Sequence, residues 1–112
     1  MRGPPMAAKD KARGKAFERW VAAKLGARRR RSGEGLAFDD IVEENGFALP
    51  ISVECKTYAQ LQLRQDWIDQ AQRNAGARPW VVVQRPKGSQ TVYATVDFEF
   101  LLALLQEWGW AK

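Results

Sequence analysis

Residues 39–57 read DDIVEENGFALPISVECKT, and this stretch decides the fold of the chain. From residue 51 onward, apolar and polar residues alternate, which is the pattern of a strand with one face on a core and the other face open. Glu54 and Lys56 therefore point the same way. Local chemistry alone places an acid and a lysine side by side on one strand face.

A turn signal, Asn45-Gly46, precedes this strand, because a tight hairpin turn needs positive φ at its central residues. The sequence predicts a hairpin that pairs the strand with residues 39–42. A two-residue loop places Asp39 on the face of Glu54, whereas a three-residue loop or a bulge places Asp40 there. Turn chemistry slightly favours Asp39, and both acids stay open at this point.

The composition describes one basic domain without histidine chemistry. The 112 residues suffice for a single core, and 46% hydrophobic content predicts a packed globule. Eighteen Lys and Arg against thirteen Asp and Glu give a net charge of +5, which is typical of a polyanion binder. With no His and one Cys, the chain excludes Ser-His and Cys-His nucleophiles, zinc sites built on these residues and an intrachain disulfide.

The pattern along the chain predicts an α/β protein in the element order αβββαββα, with a central mixed sheet of about five strands flanked by helices. Residues 1–9 are expected to form a mobile basic arm and residues 10–112 a single domain. The first helix is predicted over 10–25, and Glu18 lies on the flank of its apolar stripe. The other predicted elements are an edge strand within 27–32, a helix over 64–75, strands at 80–83 and 91–96, and a last helix capped by Asp97.

Four consecutive arginines follow the first helix at 28–31 and lead into a loop with glycines. They are the best candidates for binding phosphates, because contact with a nucleic-acid backbone depends on clustered cations rather than on base sequence. Near the C-terminus, Trp108 and Trp110 indicate a dimer surface, since exposed aromatic residues are costly in a monomer.

The chain carries no signal for a membrane or for secretion. Its most apolar stretch, residues 98–105, is too short to span a bilayer and contains Glu99. The lone Cys55 falls on the apolar face of its strand, as expected for a buried thiol in a reducing compartment. We therefore expect a soluble, cytoplasmic protein.

An acid before two apolar residues at 40–42, an E-x-K strand at 54–56 and Glu18 on a preceding helix resemble the PD-(D/E)XK nuclease superfamily. The wider layout is similar to that of the small Holliday junction resolvases of archaea and their phage relatives, from about Lys11 onward. The further matching positions are Gly14, Gly26, Arg31, Ser32 and Gly33.

The resemblance implies a restriction-endonuclease-like fold and assigns roles to five residues. Asp40 and Glu54 would hold Mg²⁺, or Mn²⁺ as a substitute, with the backbone carbonyl of Cys55 as a third ligand. Lys56 would act at the nucleophile, and Glu18 would support the metal or its water. Carboxylate and carbonyl oxygens are the ligands that such hard cations prefer.

The resemblance also bears on the open choice between the two aspartates. In that family the acid directly before the two apolar residues is the metal ligand, which favours Asp40 and leaves Asp39 as the alternative. Ser32 resembles a family serine near the scissile phosphate. The expected DNA-binding residues are Arg28, Arg29, Arg30, Arg31, Ser32, Arg64 and Arg73.

The expected function is that of a Mg²⁺-dependent Holliday junction resolvase, a homodimeric nuclease domain over residues 10–112 with no small-molecule cofactor. Two-fold pairing would set two sites symmetrically against two strands of a four-way junction, and the branch would be recognised by shape and phosphate placement. One alternative is another nuclease of the superfamily that acts on linear or single-stranded DNA. The other is a catalytically inactive DNA-binding module of the same fold.

Overall fold

The computed structural model describes residues 4–34 and 40–110, with the backbone alone for residues 4–10. It contains three helices and five strands in the predicted order, so the α/β class is confirmed. The elements are α1 (Pro4–Leu25), β1 (Arg28–Arg29), β2 (Ile41–Val42), β3 (Ser52–Lys56), α2 (Gln65–Ala75), β4 (Trp80–Gln84), β5 (Tyr93–Val96) and α3 (Phe98–Glu107).

The first helix starts earlier than predicted. It begins at Pro4 rather than at residue 10, so residues 4–9, which were expected in a mobile arm, have helical backbone. Proline suits the first helical turn, where its missing N–H costs nothing, and the residues after it are good helix formers. The helix ends at Leu25 as predicted, and Gly26 stops it with a φ of +67°.

The five strands form two sheets instead of one central sheet. β1 pairs with β2 in an antiparallel sheet, while β3 lies parallel to β4 and β4 antiparallel to β5. The predicted pairing of β2 with β3 is wrong, because no backbone ladder joins them among the described residues and Val42 instead bridges to Ala48. Pro50 follows this bridge, and proline cannot donate a ladder hydrogen bond.

The turn after β2 has a three-residue loop, not the two-residue loop that turn chemistry favoured. The N–H of Gly46 donates to the carbonyl of Glu43 at 2.8 Å, and the N–H of Glu43 donates to the carbonyl of Phe47 at 2.9 Å. Gly46 has a φ of +90°, while no residue other than glycine has positive φ among the described residues. A turn followed by a glycine bulge has this pattern, and it is the loop length that the sequence associated with Asp40.

The helices α1 and α2 pack on opposite faces of the sheet that contains β3 and β4. The face of β3 that was predicted to be open is covered by α2, because the parallel β3-α2-β4 crossover lays its helix across the sheet. The core under α1 contains Phe17, Val21, Ala22, Ala27, Ile41 and Val53, and the core under α2 contains Trp67, Ala71, Ala75, Trp80 and Val82.

The last helix adds little to either core. Asp97 caps it as predicted, since its carboxylate accepts the N–H groups of Glu99 and Phe100, yet none of the residues of α3 is buried. β4 was expected to be buried on both faces, but Val81 and Val83 stay half-buried and border an open apolar groove of about 310 Å³ beside α1. Within residues 4–34 and 40–110, no helix has both the length and the apolar character needed to cross a membrane.

Candidate active site

A hydrogen bond from the backbone of β3 to the side chain of Asp40 places Asp40 beside Glu54. Oδ2 of Asp40 accepts the backbone N–H of Cys55 at 3.0 Å. Asp40 directly precedes β2, so this bond ties the start of that strand to β3, and the carboxylate occupies a position on β3 that a neighbouring strand would otherwise take. Asp40 therefore lies beside the segment that carries Glu54 and Lys56.

The pKa of Asp40 also depends on the charged groups that lie near it. Burial raises the pKa of its carboxyl group, and the charge of Glu54 raises it further, to about 7. The Cys55 N–H and the charge of Lys56 act in the opposite direction, while Glu18 adds to the rise. These charges act on Asp40 together, which identifies the four ionisable groups as one cluster.

The Glu54 and Lys56 side chains are held by α2. Glu54 is only 3% exposed, and Nδ2 of Asn74 donates to its Oε1 at 2.6 Å. Nζ of Lys56 donates to Oε1 of Gln70 at 3.3 Å and lies 5.7 Å from the centroid of a Trp67 ring. Two residues along a strand span about 6.6 Å and four residues along a helix span about 6 Å, so the two pairs fit the same spacing.

Sequence reasoning missed this pair of helical amides. Asn74 was not singled out, and Gln70 was considered, with Arg64 and Arg73, as a residue of the DNA-binding face or of a solvated face of the helix. The signal was present, because Gln70 and Asn74 are four residues apart on the crossover helix that follows an E-x-K strand. A buried Glu and a half-buried Lys two residues apart need polar partners at that spacing.

Glu18 belongs to the site through α1. Nε of Arg29 donates to Oε1 of Glu18 at 2.7 Å, and both side chains are half-buried. This ion pair joins the helix to β1 and keeps the carboxylate on the flank of α1, as the helical pattern predicted. Arg29 is thus engaged with an acid of the cluster, although it was expected at the DNA surface.

Arg28 is also committed to an acid. Its two terminal nitrogens donate to the carboxylate of Glu34 at 2.7 and 2.5 Å, and its Nε donates to the carbonyl of Glu44 at 3.1 Å. The Arg28 hydrogen bonds, with a further one from the backbone N–H of Arg31, hold the pKa of Glu34 down to about 2. Arg28 therefore braces the loop after β1.

The other predicted DNA-binding residues are more accessible. Arg31, Ser32 and Arg73 are exposed. Arg64 is exposed as well, but it forms an ion pair with Asp66 at 2.7 Å. A pocket of about 380 Å³ lies between α1 and the arginine segment, and its lining consists of Arg19, Ala22, Ala23, Ala27, Arg28, Arg29, Arg30 and Arg31.

Among the side chains that the structure describes, no three acidic, Cys or His groups stand close enough to hold a metal ion by themselves. Asp40 and Glu54 supply two carboxylates, and the carbonyl of Cys55 lies on the strand between Glu54 and Lys56. This donor set fits Mg²⁺, which takes one or two protein carboxylates and completes its shell with water and phosphate. Burial and the charge of Glu54 together raise the pKa of Asp40, and the repulsion by Glu54 is the part that a divalent cation would relieve.

Two further points concern the predicted ligands. Asp39, the alternative ligand, lies outside the described residues. The thiol of Cys55 is half-buried against the core under α1, and burial raises its pKa, so the sulfur stays protonated and unreactive at neutral pH. Only the backbone of this residue is suited to a role in the site.

Comparison of the chain with models of known protein families, with curated proteins and with solved structures gave no match. The functional conclusion therefore depends on the geometry of the site and on the chemistry of its residues. That geometry consists of two carboxylates and an ammonium group around one strand, with amide partners on the covering helix.

Proposed function

We propose that this protein is a Mg²⁺-dependent endonuclease with the PD-(D/E)XK arrangement of residues and a restriction-endonuclease-like fold. One observation carries the proposal: Asp40 is bonded to the backbone of β3 beside the buried Glu54, and Lys56 follows on the same strand. Burying two acids next to each other is costly, and proteins retain such arrangements where the acids have a task.

In this proposal Asp40, Glu54 and the Cys55 carbonyl hold the ion. When bound, Mg²⁺ polarises a phosphodiester and lowers the pKa of a water molecule. Lys56, which Gln70 anchors, places a positive charge where the attacking water and the phosphate oxygens meet, and that charge stabilises the developing negative charge. Asn74 fixes the orientation of the Glu54 carboxylate.

The proposed substrate is a four-way DNA junction. A net charge of +5 on a small domain supports a nucleic-acid partner, and the resemblance to small Holliday junction resolvases supports the branched form. Symmetric cutting of such a junction requires two sites, so the proposal includes a homodimer.

The apolar surface of α3 and the residues after it supports this dimer. Phe98 is 66% exposed, Trp108 74% and Trp110 72%. With the half-exposed leucines of α3, these side chains would bury on the order of 1,000 Å² across two copies, which reaches the lower limit for a specific interface. A surface of this kind is rare on a monomer unless it binds something.

The dimer can be tested by sedimentation. Changing Trp108 and Trp110 together to glutamate is expected to convert a dimer into a monomer, because the charges would be buried without partners. Leu63→Glu is the matched control, since Leu63 is equally exposed but lies in the connection before α2. A wild-type chain that sediments as a monomer at high concentration would rule out the α3 interface.

The function itself is tested by cutting an end-labelled four-way junction beside a linear duplex with the same arms. With Mg²⁺, paired and symmetric nicks are expected in the junction alone. Equal cutting of both substrates would retain the nuclease and remove the junction preference. Tight binding without any cutting, with Mg²⁺ or with Mn²⁺, would show that the domain is an inactive binding module.

A further inference from the structure

A second basic pocket lies at the carboxyl ends of β3 and β4. It has a volume of about 290 Å³ and directly follows Lys56, because Thr57 lies in its wall. Ligands of α/β sheets commonly bind in the crevice outside the carboxyl ends of parallel strands, which is where this pocket is found. Its lining consists of Arg13, Thr57, Arg85, Pro86, Lys87, Gly88 and Ser89.

The pocket is separate from the arginine segment. Arg13 and Glu18 are five residues apart on α1, which places them about 140° apart around the helix. The pocket therefore lies on the other flank of α1 from the Glu18–Arg29 ion pair. None of the DNA-binding residues expected from the sequence lines this pocket.

Arg85 is held by aromatic rings and not by an acid. Its guanidinium carbon lies 5.0 Å from the ring centroid of Phe17 and 5.4 Å from that of Trp20. In the part of the chain that the structure describes, Arg85 makes no ion pair with a carboxylate. Since aromatic rings and not carboxylates contact this guanidinium, its N–H groups suit a planar or tetrahedral anion.

The turn at residues 85–89 completes the pocket, and hydrogen bonds join it to the end of β3 and the residues that follow. The N–H of Arg85 donates to the carbonyl of Lys56 at 3.2 Å, and the N–H of Lys87 donates to the carbonyl of Tyr58 at 2.7 Å. Oγ1 of Thr57 donates to the carbonyl of Arg85 at 3.2 Å. These bonds fix the pocket relative to Lys56, and none of the described side chains that line it is acidic.

We propose that this pocket, defined by Arg13, Arg85 and Lys87, binds a backbone phosphate of the substrate strand next to the phosphate that is cut. The inference rests on the proposed function, to which it adds the path of the strand across the carboxyl ends of β3 and β4. Arg85 and Lys87 bring two cationic side chains to a preformed cavity, which suits a phosphate, and arginine binds phosphate with paired hydrogen bonds.

The test is the salt dependence of binding to the four-way junction without divalent cations. Arg85→Gln is expected to weaken binding and to reduce the slope of log Kd against log salt by about 1, the value for one lost phosphate contact. Arg85→Lys should retain the slope, because the charge remains. Lys24→Gln is the matched control, since the Lys24 ammonium also contacts the Trp20 ring, at 5.2 Å, but lies outside the pocket.

Measurements of binding and of cutting together distinguish the proposed phosphate pocket from the proposed nuclease activity. An unchanged slope for Arg85→Gln, in a protein whose wild type cuts the junction with Mg²⁺, would overturn the pocket and keep the nuclease. A reduced slope in a protein that never cuts would support the pocket on a binding module and overturn the nuclease. Thermal unfolding of each variant identifies any loss of folding, and a second variant, Lys87→Gln, should then reproduce the reduced slope at an exposed position.

Discussion

Replacing Lys56 with alanine is expected to lower the rate of Mg²⁺-dependent junction cutting at least about 100-fold, the usual effect of removing a charged group that stabilises a transition state. The ammonium group lies on the strand that carries Glu54, and Gln70 and Trp67 fix its position. No nearby cation on β3 is able to replace it, since Thr57 is neutral. Single-turnover cutting of the end-labelled junction measures the effect on chemistry.

The control for this variant is Lys24→Ala, which removes an exposed lysine from α1 and should cut at the wild-type rate. Gln70→Leu provides a graded comparison. It leaves the ammonium in place but removes its hydrogen-bond partner, so a smaller decrease in rate is expected. Cutting by Lys56→Ala within a few-fold of wild type would remove Lys56 from the proposed chemistry.

The second large effect concerns stability. In the metal-free protein, the free energy of unfolding is expected to fall as the pH rises from about 4 to about 7, because Asp40 has an ordinary pKa of 3.8 when unfolded and a pKa of about 7 when folded. Over this interval the folded protein keeps a proton that the unfolded chain has lost, so stability decreases with pH. The total change is on the order of a few kcal/mol.

Asp40→Asn is expected to remove most of this pH dependence and to be more stable than wild type at pH 8 in the absence of metal. Urea unfolding with a chelator, at pH 5 and at pH 8, measures the difference. Glu43→Gln is the control, because it neutralises an exposed acid immediately after β2. If stability at pH 8 equals or exceeds that at pH 5 in wild type, the Asp40 carboxyl group is not buried beside Glu54 as described.

The effect of Mg²⁺ on the free energy of unfolding tests the same site independently. A cation that binds only the folded state raises the free energy of unfolding in proportion to its occupancy. At pH 8, Mg²⁺ should therefore stabilise wild type and should stabilise Asp40→Asn much less. An equal increase in the free energy of unfolding of both proteins would show that the metal does not bind at Asp40.

The parts of the fold that the sequence predicted well have local causes. The alternation in β3 and the order of the elements follow from hydrophobic periodicity, and Gly26 and Gly76 end their helices with positive φ. Asp97 caps α3 through hydrogen bonds to residues two and three positions away. Each of these features depends on a few neighbouring residues, so a single sequence contains the information.

The candidate site was only partly predictable. The sequence named Glu18, Asp40, Glu54 and Lys56 but left the choice between Asp40 and Asp39 to loop length, because shifting a strand by one residue exchanges its faces. The described chain has the three-residue loop, and Asp40 reaches the backbone of Cys55 by its side chain instead of by strand pairing. No periodicity encodes such a contact.

The sequence by itself therefore determined the type and order of the elements, where α1 and α2 end, and which acid and lysine share a face of β3. Only the tertiary structure decided that β2 pairs with β1, that α2 covers Glu54 and supplies Asn74, and that Arg29 pairs with Glu18. The physical reason is distance along the chain. Turns and caps are fixed by neighbouring residues, whereas the partner of a buried charge depends on which remote elements pack against it.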